Sequence, residues 1–330
     1  MARPPRAIVL LGAQRFDPTL GAAAAELGLE GPIATVTAGW QERETEDTEL
    51  HEHLGKRTVN LRLHERAEDV FKRDPELHAA HRQKQERLRH KQDFYRVRLE
   101  HELAANHVIS QRKAPAAILA EEQAASIAAI RLLDEYHVGQ CTRIEAEFDA
   151  TWRPFERDLV ARHRTELGAI LRSAAALAIA GGHVASLLNR LRLFGIAELI
   201  DGHALLAWSA GAMAISDRVV LFHDSPPQGP GASEVLDRGL GLCPGVVPLP
   251  QPETRLRLDD VDRVALMARR FAPARCLAMP AGARITYRDG RFGSPHRVLR
   301  LYSDGTRAPV QPTDDVLPEP VQGPSVGGSR

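Results

Sequence analysis

The sequence is short of the features that would assign it quickly. Its 43 basic and 43 acidic residues cancel, so no overall field draws it to nucleic acid or to an anionic membrane. No run of about 18 apolar residues is present, so no membrane-spanning helix is expected. Only three cysteines occur, Cys141, Cys243 and Cys276, far apart and without CxxC spacing. That argues against a disulfide framework and fits idle thiols in a reducing compartment. There is no HExxH string and no internal repeat. The basic stretch Met1–Arg6 leads into an apolar run, Ala7–Leu11, too short for a secretion signal. The expected location is the cytoplasm. At 330 residues, the chain holds one large domain or two ordinary ones.

What is present divides into three zones. Residues 6–70 alternate strand-like and helix-like segments. Ala7-Ile8-Val9-Leu10-Leu11 is a continuous apolar run that stops at Gly12, as buried parallel strands do. Asp17-Pro18-Thr19 opens a helix that Gly28 closes. Residues 33–38 and 58–63 read as the next strands, with a short helix at 50–54. The charges that follow the second strand, Glu42, Arg43, Glu44 and Glu46, read as a solvated loop. Residues 72–172 carry almost no strand signal. Pro75, Pro115 and Pro154 each start a helix-like stretch. The first is sparsely apolar: Lys and Arg number eleven over 72–113, and Leu77, Leu88, Tyr95, Leu99 and Leu103 leave a thin stripe. This zone reads as an all-helical insertion, a projecting hairpin or small bundle. Residues 173–306 return to alternation, with a buried strand at Ala176–Ala180, then Gly181-Gly182-His183 and a helix. Asp289-Gly290 marks a hairpin between closing strands. From Arg307 the chain is rich in Pro and Gly and reads as a disordered tail. The expected organisation is an α/β core from 1–71 and 173–306, an insertion at 72–172 and a tail at 307–330.

The most chemical segment is Leu205-Leu206-Ala207-Trp208-Ser209-Ala210-Gly211-Ala212-Met213-Ala214. An apolar run meets a Ser among very small residues, and an Ala-rich helical pattern follows. Such a pattern fits a nucleophile elbow, a sharp strand-to-helix turn that holds the Ser oxygen out at the strand tip. Backbone N–H groups beside such a Ser can hold an oxyanion. The alternative is a Ser chosen only for its small size.

The order strand, Gly181-Gly182, helix, strand, Trp208-Ser209-Ala210-Gly211-Ala212, and then Gly239-Leu240-Gly241-Leu242, resembles the aspartyl dipeptidase and cyanophycinase family of serine peptidases. The resemblance implies a flavodoxin-like, class I glutamine amidotransferase-like core interrupted by the helical insertion. It implies Ser209 as nucleophile, an oxyanion hole from the N–H groups of Gly182 and Ala210 beside Gly181, and Asp224 as the acid of the relay. Three departures matter. Ala207 stands where the elbow usually has Gly. His183 replaces the Asn after the Gly pair. The family's general base, a His on the strand after Gly239–Leu242, has no counterpart: Val246–Arg255 contains no His, and Pro250 or Gln251 takes the position. Base assistance is typically worth about 10²–10⁴ in rate, so a Ser hydroxyl without it is a weak nucleophile.

Two imidazoles are candidates for a relocated base. His183 opens a helix beside the Gly pair, where it reaches Ser209, binds a ligand carboxylate or faces solvent. His223 precedes Asp224 at a strand end, and neighbours on a strand point to opposite faces. Glu253, Arg255 and Arg257 alternate, which would put all three on one strand face. Arg255 is the candidate for binding a carboxylate; a solvated edge is the alternative. His78 and His81 stand at i, i+3, but no third metal ligand accompanies them. The basic helix lacks the aromatic spacing of a nucleic-acid platform. Neither metal nor cofactor is expected, and neither nucleic acid nor membrane is an expected partner. A long, sparsely apolar helix needs neighbours, so the insertion reads as a surface for a protein partner, with a homodimer also open. Two functions follow. One is a serine peptidase or amidohydrolase acting on small peptides or acidic small molecules, with an altered or missing base. The other is an inactive relative that serves as a scaffold or binds a ligand.

Overall fold

The structure, a computed structural model, describes residues 3–222, 232–288 and 290–311. The core begins with the expected alternation: β1 (Ala7–Leu11), α1 (Leu20–Glu26), β2 (Ile33–Val36), a short helical turn at Ala38–Arg43, α2 (Thr48–His53) and β3 (Thr58–Asn60). Four helices follow, α3 (Leu63–Arg73), α4 (Pro75–Ser110), α5 (Ala116–Trp152) and α6 (Asp158–Ser173). Alternation resumes through β4 (Ala176–Ile179), α7 (Val184–Leu193), α8 (Ile196–Leu199), β5 (Ala204–Trp208), α9 (Ala210–Ile215), β6 (Arg218–Leu221) and β7 (Glu234–Arg238). The chain closes with β8 (Val246–Pro250), α10 (Pro252–Arg255), α11 (Val261–Phe271), β9 (Arg275–Met279), β10 (Arg284–Arg288), β11 (Arg291–His296), β12 (Leu299–Leu301) and β13 (Arg307–Pro309).

Five strands pair in parallel in the order β1-β5-β4-β2-β3, and β10 and β11 extend that sheet antiparallel beyond β1. Successive side chains point to opposite faces, so each apolar strand feeds two cores. Ile8 and Leu10 of β1 and Leu177 and Ile179 of β4 pack with α3, α6, α7 and α9. Val9 and Leu11, with Ala176, Ala178 and Ala204, pack with α1. The strand order reverses between β2 and β4. Ligands of open α/β sheets bind outside the carboxyl ends of the strands at such a point.

A second sheet runs β13-β12-β9-β8, and β6 and β7 form a two-stranded ribbon. Arg307–Pro309, read from sequence as part of the tail, pairs with β12, and Val310 is buried. Residues 312–330 and the hairpin residue Asp289 lie outside the described residues. All three cysteines are free and buried, and burial pushes the Cys141 and Cys276 thiols up to about 12. Among the described residues, no helix is long and apolar enough to cross a membrane.

The α4–α5 pair does not project. The two helices run antiparallel, with Lys84 on Glu145 at 2.9 Å, Tyr95 on Asp134 at 2.7 Å and Asn106 on Ser126 at 3.1 Å. Their inner side lies on β7 and α11. There Arg270 of α11 donates twice to Asp134, each time at 2.7 Å, and once to the Tyr95 hydroxyl at 2.8 Å. Tyr95 donates in turn to Asp134 and accepts the Val235 N–H at 3.0 Å. All three side chains are buried, and burial holds the Tyr95 hydroxyl well above its ordinary range, which keeps it a donor. A thinly apolar helix is thus held down by a polar network with its partners in place.

Candidate active site

β5 ends at Trp208 and α9 begins at Ala210, so the whole turn is one residue, Ser209. Its backbone lies at φ 50°, ψ −121°, a conformation that residues with a side chain rarely adopt. The Ser209 N–H donates to the Leu11 carbonyl at 3.2 Å, and its own carbonyl accepts the Met213 N–H at 3.2 Å. β1 and α9 therefore hold the strained residue from both sides. The small neighbours are required by contact. A Cβ on Gly181 would stand 2.8 Å from the Ser209 Cβ, and one on Gly211 would run into the Ile179 carbonyl. Ala207 is fully buried within β5, where its methyl group fits.

The loops after β4 and β2 meet beside this turn. Gly182 packs against Gly39, and the His183 N–H donates to the Gly39 carbonyl at 2.7 Å. Among the described residues no backbone carbonyl accepts from the N–H groups of Gly182 or Ala210, the two donors expected to form an oxyanion hole. Nor does any side chain of the described residues hydrogen-bond the Ser209 hydroxyl.

His183 is committed elsewhere through one nitrogen. Its Nδ1 lies 2.9 Å from the Ser186 hydroxyl and accepts the Ser186 N–H at 3.2 Å, capping α7. The Ser186 hydroxyl in turn accepts from the Gln41 side-chain amide at 2.8 Å. With Nδ1 accepting from both groups, the ring proton belongs on Nε2, which makes His183 a donor toward a ligand in this tautomer. Gln41 was not a sequence-level candidate. Its backbone, φ 58° and ψ −123°, nearly repeats that of Ser209, here inside the helical turn that follows β2. The only local signal was its place just after β2. At the end of β8 stands Gln251, with φ 56° and its N–H on the Met279 carbonyl at 3.1 Å. An amide there cannot take up a proton. His223 and Asp224 lie outside the described residues.

No protein-family model matches the chain, and no curated protein does. Among solved structures it is similar to a peptidase from an acI-B1 Actinobacterium. Identity is 12%, the TM-score is 0.45, and the match covers 94% of this chain and 99% of that one. It is also similar to a putative Peptidase E protein from Listeria monocytogenes EGD-e. There identity is 18%, the TM-score is 0.28, and the match covers 42% of this chain and 65% of that one. Both likenesses are distant, so the chemistry of the site rests on its own residues.

Arg255 does not sit on a strand. Pro252 follows Gln251 and starts the short helix α10, which carries Glu253 and Arg255, with Arg257 just beyond. The sequence alternation therefore does not place the three on one strand face. The Glu253 carboxylate accepts the Ala281 N–H at 3.4 Å. Arg255 is half-buried without a carboxylate partner among the described residues, and burial lowers its pKa. It is an available cation for a ligand anion. In the charged segment after β2, Glu42, Arg43 and Glu46 are exposed, as the solvated reading expects, and Glu44 departs from it. Glu44 is buried, and its two oxygens accept the His64 and Glu65 N–H groups at 3.0 and 2.9 Å, at the start of α3. Burial raises its pKa. His78 and His81 pack against the Phe71 ring at 4.9 Å. No cluster of three or more His, Cys, Asp or Glu suited to a metal occurs among the described residues.

Proposed function

We propose that the chain is a serine peptidase-like hydrolase on a class I glutamine amidotransferase-like fold. It binds small acidic peptides at the Ser209 turn and cleaves them slowly, because the ordinary base is replaced. One observation carries this reading: Ser209 is held at φ 50°, ψ −121°, with its hydroxyl open and two unengaged N–H groups beside it. Ser209 attacks the scissile carbonyl, and the N–H groups of Gly182 and Ala210 hold the oxyanion. Arg255 pairs with a substrate carboxylate. His183, protonated on Nε2, donates to the substrate, while Asp224 with His223 supplies whatever relay remains. Gln251 stands where the ordinary base would be, so Ser209 loses its proton to a less well placed acceptor, and the rate falls about 10²–10⁴ below that of a complete relay. Gln251 at the end of β8 favours a second reading, binding without turnover.

The test is a mixed pool of short peptides, with Asp-initiated and isoaspartyl-linked dipeptides, read by mass spectrometry. Slow cleavage that Ser209→Ala abolishes supports the first reading, and His183→Ala and His223→Ala then locate the base. Absence of cleavage, with calorimetric binding that Arg255→Ala removes, supports the second. A pool neither cleaved nor bound sinks both.

A further inference from the structure

Nine large apolar side chains are exposed among the described residues, and six of them sit on α4 and α5: Phe94, Val97, Val108, Ile118, Leu132 and Tyr136. Tyr95, Leu99, Ile130 and Leu133 face the core, and the six lie on the other side of the pair. Phe94 is 72% exposed and Leu132 68%. The two helices meet on that side as well, where Arg98 of α4 lies 5.2 Å over the Tyr136 ring of α5. The spacing is a heptad: Phe94, His101 and Val108 on one helix, Ile118, Ala125 and Leu132 on the other. A seven-residue repeat keeps a seam on one side of a helix over several turns. The inner stripes already dock the pair, so this outer seam has no partner among the described residues of one copy.

Charge identifies what fits it. α4 carries seven basic and five acidic residues, and α5 carries two basic and seven acidic. Some charges of the pair are matched within the chain, as in Lys84–Glu145, Arg87–Glu147 and Arg96–Glu234. Beside the seam, Arg98, Arg112, Glu121 and Glu135 form no ion pair among the described residues, and their signs alternate between the two helices. Size also fits. The 36 residues of α4 span about 54 Å, and two packed helices are about 20 Å wide. The apolar seam, Phe94 to Val108, takes up under half of that length, and the whole face, roughly 1,000 Å², is comparable with the roughly 800 Å² per partner of a standard interface. An apolar centre with a charged rim is the anatomy of such a surface.

We propose that the outer side of α4 and α5 is a homodimer interface, with α4 of one copy lying along α5 of the other about a two-fold axis parallel to the helices. This arrangement stacks the two seams. It sets Arg98 near Glu135 of the partner subunit and Arg112 near Glu121 of the partner subunit.

Sedimentation velocity and native mass spectrometry on the full chain test this across a concentration series. The wild type is expected to form a reversible dimer. Phe94→Asp and Leu132→Asp should each weaken it about 30-fold or more, with the far-ultraviolet circular dichroism unchanged. Arg98→Glu and Glu135→Arg should each dimerise poorly alone and pair with each other when mixed, because only the mixture restores both contacts. A wild type that stays monomeric overturns the proposal. So does a dimer insensitive to the seam substitutions, or charge variants that fail to pair on mixing. Ser209→Ala should leave the dimer intact, so this outcome is separable from that of the proposed hydrolysis.

Discussion

Under the helical pair, around Asp134, donors and acceptors meet; at the end of β5, around Ser209, several have no partner among the described residues. Asp134 receives two bonds from Arg270 and one from Tyr95. At Ser209, among the described residues, no side chain engages the hydroxyl and the adjacent N–H groups donate to no carbonyl. The two guanidinium groups repeat the contrast. Arg270 makes four hydrogen bonds and is 2% exposed, whereas Arg255 is half-buried without a carboxylate among the described residues. A satisfied buried network supplies architecture. Polar groups left open beside a strained residue are the arrangement a ligand completes.

The largest effect expected falls on the satisfied side. Asp134→Ala leaves the Arg270 charge buried and unpaired, and should cost about 3–5 kcal/mol of unfolding free energy, read from urea titrations. Replacing the whole cluster, with Asp134→Leu, Arg270→Met and Tyr95→Phe together, should cost far less, because no orphan charge remains. If the single and triple variants are equally destabilised, polar satisfaction is not what holds the helices down.

His81 sharpens the comparison from the other direction, as an unpartnered group that is sealed. It lies against Phe71 and Phe148, and its Nε2 has no hydrogen-bond partner. Burial, reinforced by Lys84, Arg190 and His78, lowers its pKa from 6.5 to about 3. The folded value lies below the unfolded one, so unfolding takes up a proton between them. The stability tied to neutral His81 is therefore complete above pH 6.5 and declines as the pH falls toward 3. The loss should reach about 2 kcal/mol near pH ~5. His81→Phe should remove that slope in urea titrations at neutral and acidic pH. An unchanged slope would mean that the imidazole is solvated.

These contrasts were unequally legible in the sequence. Apolar runs ending at Gly12 and Gly181 placed β1 and β4 well, because buried parallel strands leave that local mark. The Ser209 turn was legible for the same reason: only small side chains fit where Gly181 touches it. The docking of α4 and α5 was not, since its partners stand 39 and 136 residues apart and no local period records them. Glu44 was misplaced in solvent because its two acceptor bonds reach 20 and 21 residues ahead. The strand reading of Glu253, Arg255 and Arg257 followed their alternation, although Pro252 at the first helical position was the better signal.

The smallest effect expected bears most directly on the open side. Ser209→Gly keeps the turn and removes the Cβ that makes φ 50° costly. Strain of this kind is worth about 1–3 kcal/mol, and Gly returns roughly 0.5–1 kcal/mol of it through the unfolded chain. The variant should gain about 1 kcal/mol in stability while losing the activity of the site. Ser209→Ala keeps the Cβ and its strain, so its stability should stay within about 0.5 kcal/mol of the wild type. The difference between the two variants, taken from urea midpoints at equal slope, measures the strain stored at the turn. A more stable Gly variant means the chain holds Ser209 in place at a cost that only the site explains. A less stable one means the turn is relaxed, and its likeness to the saturated Asp134 network is then closer than the geometry implies.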